Sequence, residues 1–298
     1  MVVRADGRGN MSNSSNFKQI SIWAVTFKIL LLVALIIVAM FSTYFVFDFD
    51  KTIAGNIFTI ITYLGMIYIV LNTFKTKGIK QKFVIGQISF RNEKWIKYIA
   101  IQLFLSFFSL VSIFALLYLF TGMYEDLIIT SSTEVQDVPV TGALLTLFSF
   151  VILAPIAEEL LFRGFLFNRL GETIGLGKAM FLSSFIFSLL HFNQGFIGHF
   201  LLGIFACIIY VKTQKLLLPI MMHGLNNLIA YGPTVMDSIF NQPTEFDMEQ
   251  LLQELQLMVS VGAVLFIILT PIIIFMFYKI YPKDVKSTPY ESNKLKSI

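Results

Sequence analysis

Glu158, Glu159 and Arg163 are the only charges in LFSFVILAPIAEELLFRGFLF, residues 147–167, an apolar run long enough to cross a bilayer. Ionisable side chains inside a membrane span are costly, and by default they mark function. The protein's three histidines, His191, His199 and His223, all lie shortly downstream, with Asn226 and Asn227 beside the last. A carboxylate, imidazoles and an amide together form the set that can activate a water and hold a tetrahedral oxyanion.

Spacing divides the roles. Glu159 and Arg163 stand at i and i+4, acid first, the favourable order for an intrahelical pair. Glu158 is rotated by about 100° from Glu159. Arg163 therefore neutralises Glu159 and leaves Glu158 to face something else. A carboxylate in low dielectric without a fixed cation resists ionisation. Such a group can take up a proton, as a general base must. His223 and Asn227 again stand at i and i+4 and point the same way. An imidazole N–H and an amide there resemble a donor pair for an oxyanion. Gly224 beside them permits close backbone approach. Pro155 removes one backbone N–H and predicts a kink upstream of the acids.

Taken singly, each feature has a plainer reading. The trio of charges fits a structural ion pair equally well, since such networks also perturb titration. His191 alone reads as a hydrogen-bonded histidine at a helix end. His223 and Asn227 alone read as interhelical polar glue. His199, in GFIGHF, and Asn226, turned off the His223 face, are read as structural. Together, an unpaired acid, two histidines and an amide on three spans go beyond what a structural network requires.

The elements that must position these residues follow from composition. The chain of 298 residues is 56% hydrophobic and 13% charged, with 32 Phe and a mean hydropathy of +0.78. Soluble domains are about a quarter charged, so this is an all-α, polytopic membrane protein. One cysteine, Cys207, excludes an internal disulfide or a cysteine metal cluster. Apolar segments predict about eight transmembrane helices near 22–47, 53–74, 98–121, 141–170, 178–193, 197–211, 215–231 and 257–280. The fourth is expected to run past Arg163 to about Leu170. Glu158 then lies roughly 18 Å from the turn around residues 171–177, level with His191 on the antiparallel neighbour.

The joins support this count. Residues 75–97 carry Lys75, Lys77, Lys80, Lys82, Arg91, Lys94 and Lys97 against Glu93. The next join carries Glu125, Asp126, Glu134 and Asp137 with no base. Lys212 and Lys215 follow span six, and Asp237, Glu245, Asp247, Glu249 and Glu254 follow span seven. Lysines return at 279–296. Basic joins alternate with acidic ones, so the Lys/Arg bias puts both termini in the cytoplasm. The basic second join reads as a membrane-surface segment beside anionic lipid, with no nucleic-acid partner. Residues 1–20 read as a disordered cytoplasmic arm, with Met11 as an alternative start. Residues 21–281 form one membrane domain with its core at about 140–232, and residues 282–298 a basic cytoplasmic tail. EFDMEQLLQELQL, residues 245–257, has the period of an amphipathic external helix.

EELLFR (158–163), FSLLH (187–191) and HGLNN (223–227) fit the patterns EExxxR, FxxxH and HxxxN in order. They resemble the motifs of the CAAX-protease and bacteriocin-processing (CPBP, or Abi) family of intramembrane endopeptidases. The resemblance covers about residues 140–232, and no motif position departs from the pattern. It implies a CAAX-protease-like bundle of eight helices with a water-filled cavity open toward the cytoplasm. It implies Glu158 as the base that activates water and His191 as its positioner. His223 and Asn227 become the oxyanion site. Glu159 and Arg163 support them, and Phe187 lines the site below His191. Glu158, His191 and His223 would be the ligands of a zinc ion. The HExxH spacing of common zinc proteases is absent, and the reading favours no metal.

The expected partners are the lipid bilayer and a peptide or membrane-protein substrate, at a plasma membrane. The Lys-, Ile-, Phe- and Asn-rich composition fits a bacterial source. Peptide or bacteriocin maturation and self-immunity are the roles in view. The competing reading is a non-enzymatic membrane immunity or scaffold protein with a structural polar network. A proton-coupled transporter would also use buried Glu and His, but recognisable repeat halves are lacking.

Overall fold

The computed structural model describes residues 16–46, 51–88, 94–119, 139–240 and 248–297. Every regular element among them is helical. The long helices are α1 (Ile22–Val46) and α2 (Lys51–Thr76). A short α3 (Gln81–Ile85) precedes α4 (Trp95–Leu119). Helix α5 runs over Val140–Ile174, followed by α6 (Leu176–Leu190) and α7 (Phe196–Thr213). Then come α8 (Leu217–Phe240), α9 (Met248–Ile280) and a short α10 (Pro289–Leu295).

Helices α1, α2, α4, α5, α7 and α9 are long and apolar enough to cross a membrane, while α6 is apolar but shorter. Large apolar side chains such as Trp23 (83% exposed) and Ile267 (73% exposed) stand on their outer faces. A soluble surface would not carry apolar faces of this extent, and lipid covers them. The protein is thus an all-α, multi-pass membrane protein, as composition predicts.

Several expectations shift in detail. Helix α5 passes Arg163 as predicted and continues to Ile174, where Gly175 at φ 85° ends it. Only glycine adopts that backbone readily. The amphipathic segment and the last span are one helix from Met248 onward. Residues 16–20, expected within a disordered arm, are folded. Asn16–Gln19 form a 3-10 turn, with Phe17 and Ile20 buried. The aromatic ring of Phe17 supplies the burial that a Ser/Asn-rich arm lacks. Residues 1–15, Arg91, Glu93 and the acids at 125, 126, 134, 137, 245 and 247 lie outside the described residues.

The basic tail is also folded. Thr288 caps α10 in a reciprocal capping box with Glu291, satisfying two backbone donors that a helix start leaves open. Tyr290 is 2% exposed and packs edge-on against Phe17 at 4.9 Å and Phe83 at 6.0 Å. Its backbone N–H donates to Asn168 Oδ1 at 3.2 Å. Asn293 donates to the carbonyls of Phe83 and Gln214. The Tyr210 hydroxyl donates to the Val84 carbonyl at 2.6 Å. The 3-10 turn, α3 and α10 thus close one end of the bundle over α2, α5, α7 and α8.

Helices α6 and α7, with 15 and 18 residues, are roughly 22 and 27 Å long. They form a hairpin that turns at residues 191–195, with Gly195 at φ 108°. Its tip carries His191 and its second arm His199. Replacing Tyr290 with Ala removes the aromatic centre of the closed end. The thermal midpoint in detergent should fall by several degrees, in keeping with about 3–5 kcal/mol for loss of a buried aromatic. An unchanged midpoint would show that the tail does not hold the bundle.

Candidate active site

Helix α5 changes its winding around the acids. Phe148–Leu153 and Leu160–Phe167 are π-helical, and Ala154–Glu159 between them is α-helical. Pro155 near the start of the α segment has no N–H to give and crowds the preceding turn. The wide π turn accommodates it, so the helix swells where a kink was predicted. Widened turns of this kind recur at functional sites.

The acids separate as their spacing requires. Arg163 Nη1 donates to Glu159 Oε1 at 2.8 Å, with both side chains at most 1% exposed. The same oxygen accepts from His223 Nδ1 at 3.0 Å. An Arg-paired carboxylate is an acceptor, so Nδ1 carries the hydrogen and Nε2 turns outward. Phe187 packs under the group, 4.7 Å from the Arg163 guanidinium. Its ring lies 4.5 Å from His191 and 5.7 Å from His223. A cation over an aromatic face is favourable, more so away from water.

Glu158 stands apart. Its Oε2 is buried and no protein group hydrogen-bonds it. His191 Nε2 lies 3.7 Å and His223 Nε2 3.8 Å from that oxygen. Both gaps exceed a direct hydrogen bond and match a bridging water. His191 Nδ1 donates to the Phe187 carbonyl at 2.8 Å, which fixes the ring and turns Nε2 toward Glu158. Glu158, His191 and His223 therefore converge.

Asn227 lines the same cavity, and its Nδ2 donates to the Phe150 carbonyl at 2.7 Å. One amide hydrogen is therefore spent on holding α8 to the π turn. Asn226, read as structural, accepts through Oδ1 from Ser106 at 2.9 Å and Gln102 at 3.4 Å across to α4, and it too lines the cavity. Gly224 meets α5 closely: a Cβ there would sit 2.9 Å from the Val151 carbonyl oxygen.

Two neighbours escaped the sequence reading. His199 stacks on His191 with ring centres 4.6 Å apart and planes at 10°, and it lines the cavity. The signal was present in HFNQGFIGH, where both histidines stand four residues from the turning Gly195. Tyr63, on α2, lines the same cavity as Glu158, and nothing near it in sequence points there.

These residues wall a cavity of about 580 Å³. Its other lining is largely apolar, from Leu103, Phe107, Leu110 and Ile113 of α4. Two imidazoles and a carboxylate have the donor chemistry of a zinc site with an open position. The contact of Glu159 with His223 Nδ1 is the outer support such a ligand needs. Glu158, His191 and His223 are thus the residues that would hold a metal. No cluster of three His, Cys, Asp or Glu among the described residues is drawn together as a finished metal cage.

Residues 140–229 match the family model for type II CAAX prenyl endopeptidases, Rce1-like. This is consistent with the CPBP family that the motifs resemble, and the matched segment contains all three motifs. No curated protein and no solved structure matched the chain.

Replacing Arg163 with Met leaves Glu159 charged and buried without its cation. The expected loss is about 3–5 kcal/mol, seen as a lower thermal midpoint in detergent. Adding Glu159→Gln should restore part of that loss. If the two losses simply add, the residues are not a coupled pair.

Proposed function

We propose, from the CPBP-type domain at residues 140–229 and the geometry around Glu158, that the protein is an intramembrane endopeptidase. It hydrolyses peptide bonds of a membrane-associated peptide or protein. The observation that carries this reading is Glu158 Oε2, flanked by two imidazole nitrogens at 3.7 and 3.8 Å on the wall of a cavity.

In this reading a water sits between Glu158 and the two Nε2 atoms. Glu158 takes a proton from it as the water oxygen bonds to the substrate carbonyl carbon. His191 holds the water's other hydrogen. The carbonyl oxygen gathers negative charge, which His223 and the remaining Asn227 amide hydrogen stabilise. The C–N bond then breaks, and the proton on Glu158 passes to the leaving amine. For His223 to donate to the carbonyl oxygen while its Nδ1 donates to Glu159, both ring nitrogens must carry hydrogen in this step.

A metal bound by Glu158, His191 and His223 would supply Lewis acidity instead. Glu158 would then serve as a ligand, and its loss would remove the metal along with activity. Maturation of a peptide or bacteriocin, or self-immunity, fits an endopeptidase in a membrane. No metal is favoured, as at the sequence level.

Purified protein in detergent should cleave members of a peptide library. Glu158→Gln should lower the cleavage rate by at least about 100-fold, the scale of general-base catalysis, with an unchanged thermal midpoint. Retained cleavage in Glu158→Gln would refute the assignment. Chelation followed by elemental analysis separates the two chemistries: activity should survive in metal-free protein. Stoichiometric zinc, with loss of activity on its removal, would replace the water-and-glutamate mechanism by the metal one.

A further inference from the structure

We propose that a second cavity, between the ends of α4, α7 and α9, binds the phosphate headgroup of an anionic lipid. The proposal is independent of the endopeptidase reading, because it rests on a different cavity.

This cavity has a volume of about 220 Å³, roughly fifteen times what a single water needs. Three helix ends build it. Lys94 stands just before α4 and Lys97 in its first turn. Lys212 stands in the last turn of α7, and Ile280 is the last residue of α9. Lys94 and Lys97 are at i and i+3, and on α7 Phe205, Ile208 and Lys212 follow at steps of three and four. Both spacings keep side chains on one helix face. The two faces meet, so three lysines from two segments surround one space.

The lining divides by depth. Phe205, Ile208 and Ile280 are at most 6% exposed and form the floor. The three lysines are exposed and stand at the mouth. No carboxylate lines the cavity, and none of these lysines is in an ion pair among the described residues. Lys94 and Lys97 act electrostatically on Lys212, and like charges held together repel. An anion among them removes that repulsion and accepts charge-assisted hydrogen bonds from the ammonium groups. Phosphate suits the set, because each ammonium turns its donors freely on a flexible stem.

Depth identifies the source of the phosphate. Helices α4, α7 and α9 are each long and apolar enough to cross a membrane, and the cavity lies where their ends come together. Trp95, Tyr278 and Tyr281 stand at the same helix ends, and Trp and Tyr are enriched at the membrane–water boundary. Lipid phosphates occupy that level, and basic pockets between membrane helices suit anionic headgroups. A bare phosphate gains nothing from a floor of Phe205, Ile208 and Ile280, whereas a lipid brings apolar groups attached to its phosphate. The bound headgroup ties the start of α4 to the end of α7. Those two helices also carry Leu103, Phe107 and His199 in the wall of the larger cavity. A ligand held only by the folded arrangement stabilises it.

Purified protein in neutral detergent tests this, by thermal midpoint and by native mass spectrometry. Phosphatidylglycerol should raise the midpoint and stay bound at one molecule per chain, and phosphatidylcholine should do neither. Lys94→Gln/Lys97→Gln/Lys212→Gln should weaken phosphatidylglycerol binding by at least about tenfold, since each lysine near an anionic headgroup contributes several-fold. Lys212→Gln alone, a milder variant should the triple one fail to accumulate, should weaken it by about fivefold. Lys77→Gln/Lys178→Gln/Lys283→Gln removes the same charge outside the cavity and should bind as the unmodified protein does. Equal loss in that control would mean that general surface charge suffices, and would overturn the site. Undiminished binding in the cavity variants would overturn it too. Inorganic phosphate at the same concentration should leave the midpoint unchanged. Protection equal to that of the lipid would make the ligand a free anion and overturn the lipid assignment. Neither readout involves turnover, so failure here is distinct from failure of the endopeptidase reading.

Discussion

The buried contact between Arg163 and Glu159 is the constraint on which the rest depends. At 2.8 Å and with almost no exposure, it puts a full ion pair where solvation is weakest. Such pairs add little net stability, because desolvation offsets much of the attraction. Breaking one is a different matter, since the remaining charge has no partner. The pair therefore dictates its surroundings. Phe187 lays its ring against the guanidinium, and His223 is tied to the shared carboxylate oxygen. Gly203 leaves room for Arg163, because a Cβ there would come within 3.1 Å of Nη2. Glu158 is the acid this arrangement leaves over, and the proposed chemistry is assigned to it for that reason.

The fold meets a second demand, which is depth. A water-using site inside a membrane needs polar groups at mid-height and a wet space beside them. The hairpin of α6 and α7 supplies polar groups beside the cavity, with His191 at its turn and His199 on its second arm. Helix α5 answers from the other side by swelling into π turns around Pro155 and the acids. The Phe150 carbonyl is taken up by Asn227 across the helix boundary. That bond joins α8 to α5 beside the proposed oxyanion position, so Asn227 has a packing duty as well as a proposed chemical one.

Much of this was legible in the sequence, and for identifiable reasons. The pairing of Glu159 with Arg163 follows from i, i+4 spacing within one helix, and the structure has it. The continuation of α5 past Arg163 follows from apolar residues running to Phe167. His199 was missed because a histidine in a Gly-rich turn reads as local, and only the closed hairpin brings it onto His191. Tyr63 was missed because the cavity it shares with Glu158 joins α2 to α5 across ninety-five positions. The folded tail was missed because a single TxxE capping box and one tyrosine look slight beside a run of lysines.

The central claim is that Glu158 acts on water as a base and never bonds to the substrate. A single turnover in water carrying heavy oxygen tests it most directly, with mass spectrometry of both the product and the enzyme peptide containing Glu158. The account predicts heavy oxygen in the new carboxyl group of the product and none in the Glu158 side chain. Heavy oxygen in Glu158, with none in the product, would mean that the carboxylate attacked the peptide itself, and would contradict the account.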